Sequence, residues 1–70
     1  MLTFKIADNA NPVKEARDIG IALREEGYPL GLPFSLKQES LNGVIGYYHW
    51  IVTQYGARKP TEIEAYLFNK

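Results

Sequence analysis

Between Leu41 and Tyr55 the chain reads LNGVIGYYHWIVTQY, with no formal charge apart from whatever His49 carries. Four of the nine aromatic residues lie here, with the only Trp and the only His. In a chain whose overall net charge is zero, so apolar a run must either be buried or bind something. Everything else has to be arranged around it.

Two conformations compete for this stretch. At spacings of three and four, Leu41, Val44, Ile45, Tyr48, Val52 and Tyr55 form one continuous helical stripe. Gly43 and Gly46 oppose it at roughly 1 kcal/mol each, as do the β-branched and aromatic residues. Alternatively Asn42-Gly43 is a hairpin signal and Val44 to Val52 is rich in strand formers. The Lys37–Ser40 segment offers little to the apolar face of a partner strand, and Gly56 makes a credible helix stop. The balance favours helix, with Gly43, Tyr47, Trp50 and Gln54 on a second stripe opposite the first.

The flanking segments are clearer. Residues 2–7 alternate, Leu2, Phe4 and Ile6 against Thr3 and Lys5, which is the period of a half-buried strand. Asn11-Pro12 is an N-cap followed by proline at the first helical position. Val13, Ala16, Ile19, Gly20 and Leu23 then share one face, with Lys14, Glu15, Asp18, Glu25 and Glu26 on the other, and Gly27 as C-cap. Gly20, on the apolar face, would let another backbone approach closely. Residues 28–34, punctuated by Pro29, Gly31 and Pro33, form either a loop or a short extended piece. Residues 30–34 are thus a candidate partner for the first strand. Ser35 to Gln38 has capping-box spacing, and so do Thr61 and Glu64. Ala57 to Pro60 reads as a linker, and Ile63, Tyr66 and Leu67 share a face of the last helix, with Phe68 pointing elsewhere.

The expected fold is a single α+β domain over residues 1–70. It has one N-terminal strand and three helices at about 12–26, 36–55 and 61–69. The alternative is β-α-β-β-α with a hairpin at Asn42-Gly43. Seventy residues bury only about 60% of the surface they expose when unfolded. A partner or self-association is a natural source of further stability, through either the Leu2–Ala7 edge or the Trp50 stripe.

Composition narrows the function. There is no cysteine, which excludes disulfides, thiolate metal sites and cysteine nucleophiles. Eight basic residues balance eight acidic ones, unlike the electropositive body of most phosphate-backbone binders. No run approaches the ~20 apolar residues of a membrane span, and the N-terminus lacks signal-peptide character, so a cytoplasmic protein is expected. His49 has no Asp or Glu within nine residues and reads as a packed residue, with no metal or cofactor site implied. No enzymatic activity is expected.

The functional expectation is a small regulatory or inhibitor-type protein that binds another protein through an aromatic helix face. Such a chain would suit an inhibitor encoded by a phage or mobile element. The candidate contact residues are Tyr47, Trp50, Gln54, Arg58 and Lys59, because Trp and Tyr dominate binding hot spots. The alternative is a small nucleic-acid-binding module, with Arg58 and Lys59 on phosphate and Tyr47 and Trp50 stacking on bases. The plainer reading of Trp50 is a core residue covered on both sides.

Overall fold

The computed structural model describes residues 2–68. Its elements run β1 (Leu2–Ile6), α1 (Pro12–Glu25), β2 (Pro33–Glu39), β3 (Ile45–Thr53), β4 (Gly56–Arg58) and α2 (Glu62–Phe68). The strands make one sheet in the order β1-β2-β3-β4. β1 and β2 are parallel, and the remaining pairs are antiparallel. The parallel pair needs a long crossover, which α1 supplies.

α1 forms as its sequence dictates. The Asn11 side chain accepts hydrogen bonds from the Val13 and Lys14 N–H groups at 3.0 and 3.4 Å, and Pro12 opens the helix. At the other end Gly27 N–H donates to the Arg24 carbonyl and Tyr28 N–H to that of Leu23, each at 3.0 Å, the Schellman closure. Ala16, Gly20 and Leu23 are buried against the sheet, whereas Val13 stays exposed.

The α1 side of the sheet holds the core. Phe34, Leu36, Trp50 and Val52 meet Ile6, Ala16 and Leu23, and the rings of Phe4 and Phe34 meet edge to face at 6.1 Å. Phe34, Leu36 and Val52 are the largest side chains wholly removed from water, worth about 1.5–3 kcal/mol each. Gly20 sits where α1 crosses β4. A Cβ there would lie 1.9 Å from the Gly56 carbonyl oxygen, so the expected close approach of backbones is present.

The expected central helix is absent, and among the described residues two helices stand in place of three. Residues 36–55 contribute instead to β2, β3, the turn between them and the turn leading into β4. Gly43 occupies the turn at a φ of 85°, a conformation that L residues rarely adopt, and its N–H donates to the Ser40 carbonyl at 3.0 Å. The Ser40 hydroxyl also accepts from the Val44 N–H and contacts the Asn42 side-chain oxygen. The Ser35–Gln38 spacing is no capping box. Ser35 is buried in the sheet, and the Gln38 amide donates to the Ala7 and Ala10 carbonyls at 2.8 and 2.9 Å, fastening the β1–α1 loop. The apparent six-residue stripe is scattered, with Leu41 95% exposed, Val44 63% and only Val52 deeply buried.

The candidate pairing of residues 30–34 with the first strand was displaced by a few residues, since β1 registers against Phe34 to Gln38. The hairpin alternative lies nearer the observed order, but it lacked β4. Residues 56–58, read as a cap and linker, instead return along Ile51–Thr53 after a two-residue turn.

Candidate interaction surface

β3 is nine residues long and β4 only three, so β4 covers β3 over Ile51–Thr53 alone. In an antiparallel pair each residue turns its N–H and C=O to the same side, alternating along the strand. Val52 directs both groups toward the β2 side, where its N–H donates to the Leu32 carbonyl and its carbonyl accepts from Gly31, each at 2.9 Å. The Val44 carbonyl likewise accepts from Ser40 on that side. Alternation therefore turns the backbone groups of Ile45, Tyr47 and His49 outward, and no strand pairs with them among the described residues.

The side chains at this edge are apolar and accessible. Leu41, Val44, Ile45, Tyr47 and Tyr48 are all exposed, Tyr47 at 58%. Where β4 ends and the chain turns away, an open cleft of ≈ 320 Å³ follows the edge, lined by Tyr47, Tyr48, His49, Trp50, Lys59 and Pro60. From Ser40 to Ala57 no residue is formally charged. Glu39 bounds this span at one end, and Arg58 and Lys59 bound it at the other.

The five residues singled out from sequence do not form one face. Trp50 is 5% exposed and packs in the α1-side core. Its indole N–H is buried without a partner among the described residues, a cost of about 1–3 kcal/mol. Tyr47, three positions away in a strand, points to the opposite side of the sheet. Tyr47 and Lys59 do share the cleft, whereas Gln54 lies in the exposed β3–β4 turn. Arg58 is engaged with Glu64, its guanidinium donating to both carboxylate oxygens at 2.7 and 3.0 Å.

That fork holds α2 on the sheet face opposite α1. The Thr61 N–H donates to Glu64 and the Glu64 N–H to the Thr61 hydroxyl, at 2.9 and 3.3 Å, which completes the expected capping box. The Arg58 hydrogen bonds, followed by the Thr61 N–H, draw the Glu64 carboxyl down from its ordinary 4.5 to about 2. Phe68, expected to point away, stacks on His49 with ring centroids 4.4 Å apart, while Ile63 and Tyr66 are exposed. Ile51 is buried on this same side.

Sequence reading also missed the partner of His49. Its Nδ1 lies 2.8 Å from the Ser35 hydroxyl, directly across the β2–β3 register. Period-two alternation over both segments would have put them together. Ser35 is 3% exposed and the imidazole, half-buried at the cleft, stacks under Phe68, so the pair ties sheet to helix.

One further juxtaposition follows from register. Lys5 lies beside Lys37, and Lys37 beside Tyr47, in one row on the α2 side of the sheet. Like charges on neighbouring strands repel, and neither lysine has an ion pair among the described residues. No group of three or more His, Asp or Glu residues that could hold a metal occurs among the described residues. No helix described is long and apolar enough to cross a membrane. Compared with family models, curated proteins and solved structures, the chain has no match in any of the three.

Proposed function

We propose that this is a small regulatory or inhibitor-type cytoplasmic protein that acts by binding another polypeptide and carries out no chemistry of its own. The contact is the outer edge of β3 together with the β2–β3 turn, in place of the aromatic helix face expected from sequence. One observation carries the reading: Ile45, Tyr47 and His49 present backbone groups that no strand pairs with among the described residues, beside exposed apolar side chains. An extended segment laid there would gain main-chain hydrogen bonds from the edge and side-chain contacts from Tyr47 and the cleft.

Affinity capture with the full chain tests this, run in parallel with Tyr47→Lys and with Lys5→Glu on remote β1. A lysine at the exposed edge should abolish strand addition at little cost to the fold, because Tyr47 is largely in water. The expected outcome is a polypeptide retained by the parent and Lys5→Glu chains and lost from Tyr47→Lys. Capture that ignores Tyr47→Lys would overturn the reading.

The Lys5–Lys37–Tyr47 row, with Lys59 at the cleft, favours a second reading: a single-stranded nucleic acid lying over the α2 side of the sheet. Three lysines neutralising phosphates would give a log–log salt slope of about −2. Absence of retention on a phosphate-rich column at low salt would refute it.

A further inference from the structure

The unpaired edge of β3 is complementary to itself, and we propose that its occupant is a second copy of this chain. The inference rests on the reading above and names the partner of the same edge. Antiparallel pairing about a two-fold axis at Tyr47 sets Tyr47 against Tyr47 of the partner subunit and Ile45 against the partner's His49, in both directions. All three outward-facing residues are then used, each facing pair exchanging both its bonds, and no position already held by β4 is required. The result is a continuous sheet in the order β1-β2-β3 and then β3-β2-β1 of the second copy, the isologous arrangement most common among dimers.

Three features of the surface support this occupant. First, in that register Val44 comes beside Trp50 of the partner subunit. The exposed turn with Leu41 and Val44 thereby enters the partner's cleft, where β4 has ended and the chain has moved aside at Lys59 and Pro60. The projecting apolar turn and the receiving cleft lie at opposite ends of the same uncharged edge, as a two-fold requires. Second, the charges complement one another. Antiparallel pairing brings the Glu39 end of each copy toward the Lys59 end of the other, with no formal charge between. Third, the two free edges of the sheet differ. β1 carries Lys5 within the strand, a common guard against edge pairing, and β3 from Ile45 to Trp50 carries no such charge. A standard interface covers about 800 Å² per partner, roughly a sixth of this chain's 4958 Å² surface.

Sedimentation of the full chain from about 10 μM to about 1 mM, the range of modest dimers, tests the proposal. The mass should rise from 8.0 kDa toward twice that value. Tyr47→Lys should weaken the dimer at least about tenfold, equivalent to ~1.4 kcal/mol, and Glu25→Lys, at the exposed end of α1, should leave it intact. If Tyr47→Lys fails to fold, Tyr47→Cys decides. The two-fold puts facing Cα atoms about 5.5 Å apart, within disulfide reach, so mild oxidation should link Tyr47→Cys chains and leave Thr3→Cys chains unlinked. A mass of 8.0 kDa throughout with no such link overturns the proposal, as does a dimer insensitive to Tyr47→Lys. A monomer that still captures a different polypeptide through Tyr47 overturns this occupant and leaves the broader reading standing. A Tyr47-linked dimer that captures nothing else supports this occupant and identifies the polypeptide bound at the edge as a second copy of the chain.

Discussion

Gly20→Ala isolates the seam on which the β4 end of the sheet depends. In an exposed helix interior the change should stabilise, because alanine exceeds glycine by about 1 kcal/mol in helix propensity. Here the new methyl would lie 1.9 Å from the Gly56 carbonyl oxygen and 2.4 Å from its carbon, where ordinary contact begins at 3.4 Å. Both atoms are backbone, and a Cβ on Gly56 would in turn meet Arg17 of the same helix, so helix and strand are already at closest approach there and no side chain can swing away. The helix must lift off β4, disturbing Ala16 and Leu23 over Trp50 and Val52. Overpacking of this kind costs about 1–3 kcal/mol, and a rigid backbone obstacle argues for the upper part of that range. After the propensity gain, a net loss of about 2 kcal/mol remains, or about 8–16 °C in Tm for a domain of this size. Thermal and urea unfolding followed by circular dichroism would measure it. Ala22→Gly, the reverse exchange on the exposed side of the same helix, serves as control and should lose about 1 kcal/mol from propensity alone. A Gly20→Ala chain as stable as the parent would refute the packing argument, because propensity would then have decided the outcome.

Two further outcomes follow from the same structure. Glu64 is held down to about 2 in the folded chain against an ordinary 4.5, so its contribution is present above pH 4.5 and is lost as pH falls toward 2. The α2 contact should loosen across that window, read as loss of Phe68 from His49 by NMR, and Glu64→Gln should abolish this acid transition. Trp50, buried in the core with no partner for its N–H among the described residues, should emit at short wavelength and resist aqueous quenchers in the free chain. Trp50→Phe should cost less than about 1.5 kcal/mol, because the lost ring contacts are partly offset by removal of the orphaned donor.

Local rules were legible wherever a segment satisfied its own backbone. Asn11-Pro12, the Gly27 closure and the Thr61–Glu64 box all formed as their residues indicate, because each is a hydrogen-bonding problem solved within a few positions. The central stretch failed for the opposite reason. Its backbone partners lie across the sheet, and Lys37 to Ser40 reads as too polar for a strand until the fold gives Gln38 the β1–α1 carbonyls to bind. Gly43 was the decisive residue, a helix cost in one reading and a turn requirement in the other. β4 was the least visible element, since three residues of GAR carry no period at all. Of the candidate contact residues, Tyr47 and Lys59 reach a common cleft because one is in the strand beside which the other departs, a proximity no helical wheel would show.

The misreading of Leu41 to Tyr55 and the proposed use of its edge share one cause. A strand inside a small two-sided sheet is expected to alternate between a buried apolar face and a wet polar one. In this segment Val44, Ile45, Tyr47 and Tyr48 are apolar without alternation, which made a helical stripe plausible and which the observed fold leaves uncovered. A 70-residue chain has little apolar surface to spare for its core. Four large exposed apolar residues within five positions are therefore costly unless something covers them, most of all beside unpaired backbone. The other free edge, on β1, interrupts its apolar run with Lys5. Had selection acted on the monomer's solubility alone, a comparable charge between Val44 and Tyr48 would cost almost nothing, since these side chains already lie in water. Its absence from an edge that also has a cleft at its end is the physical ground for treating that edge as a joint.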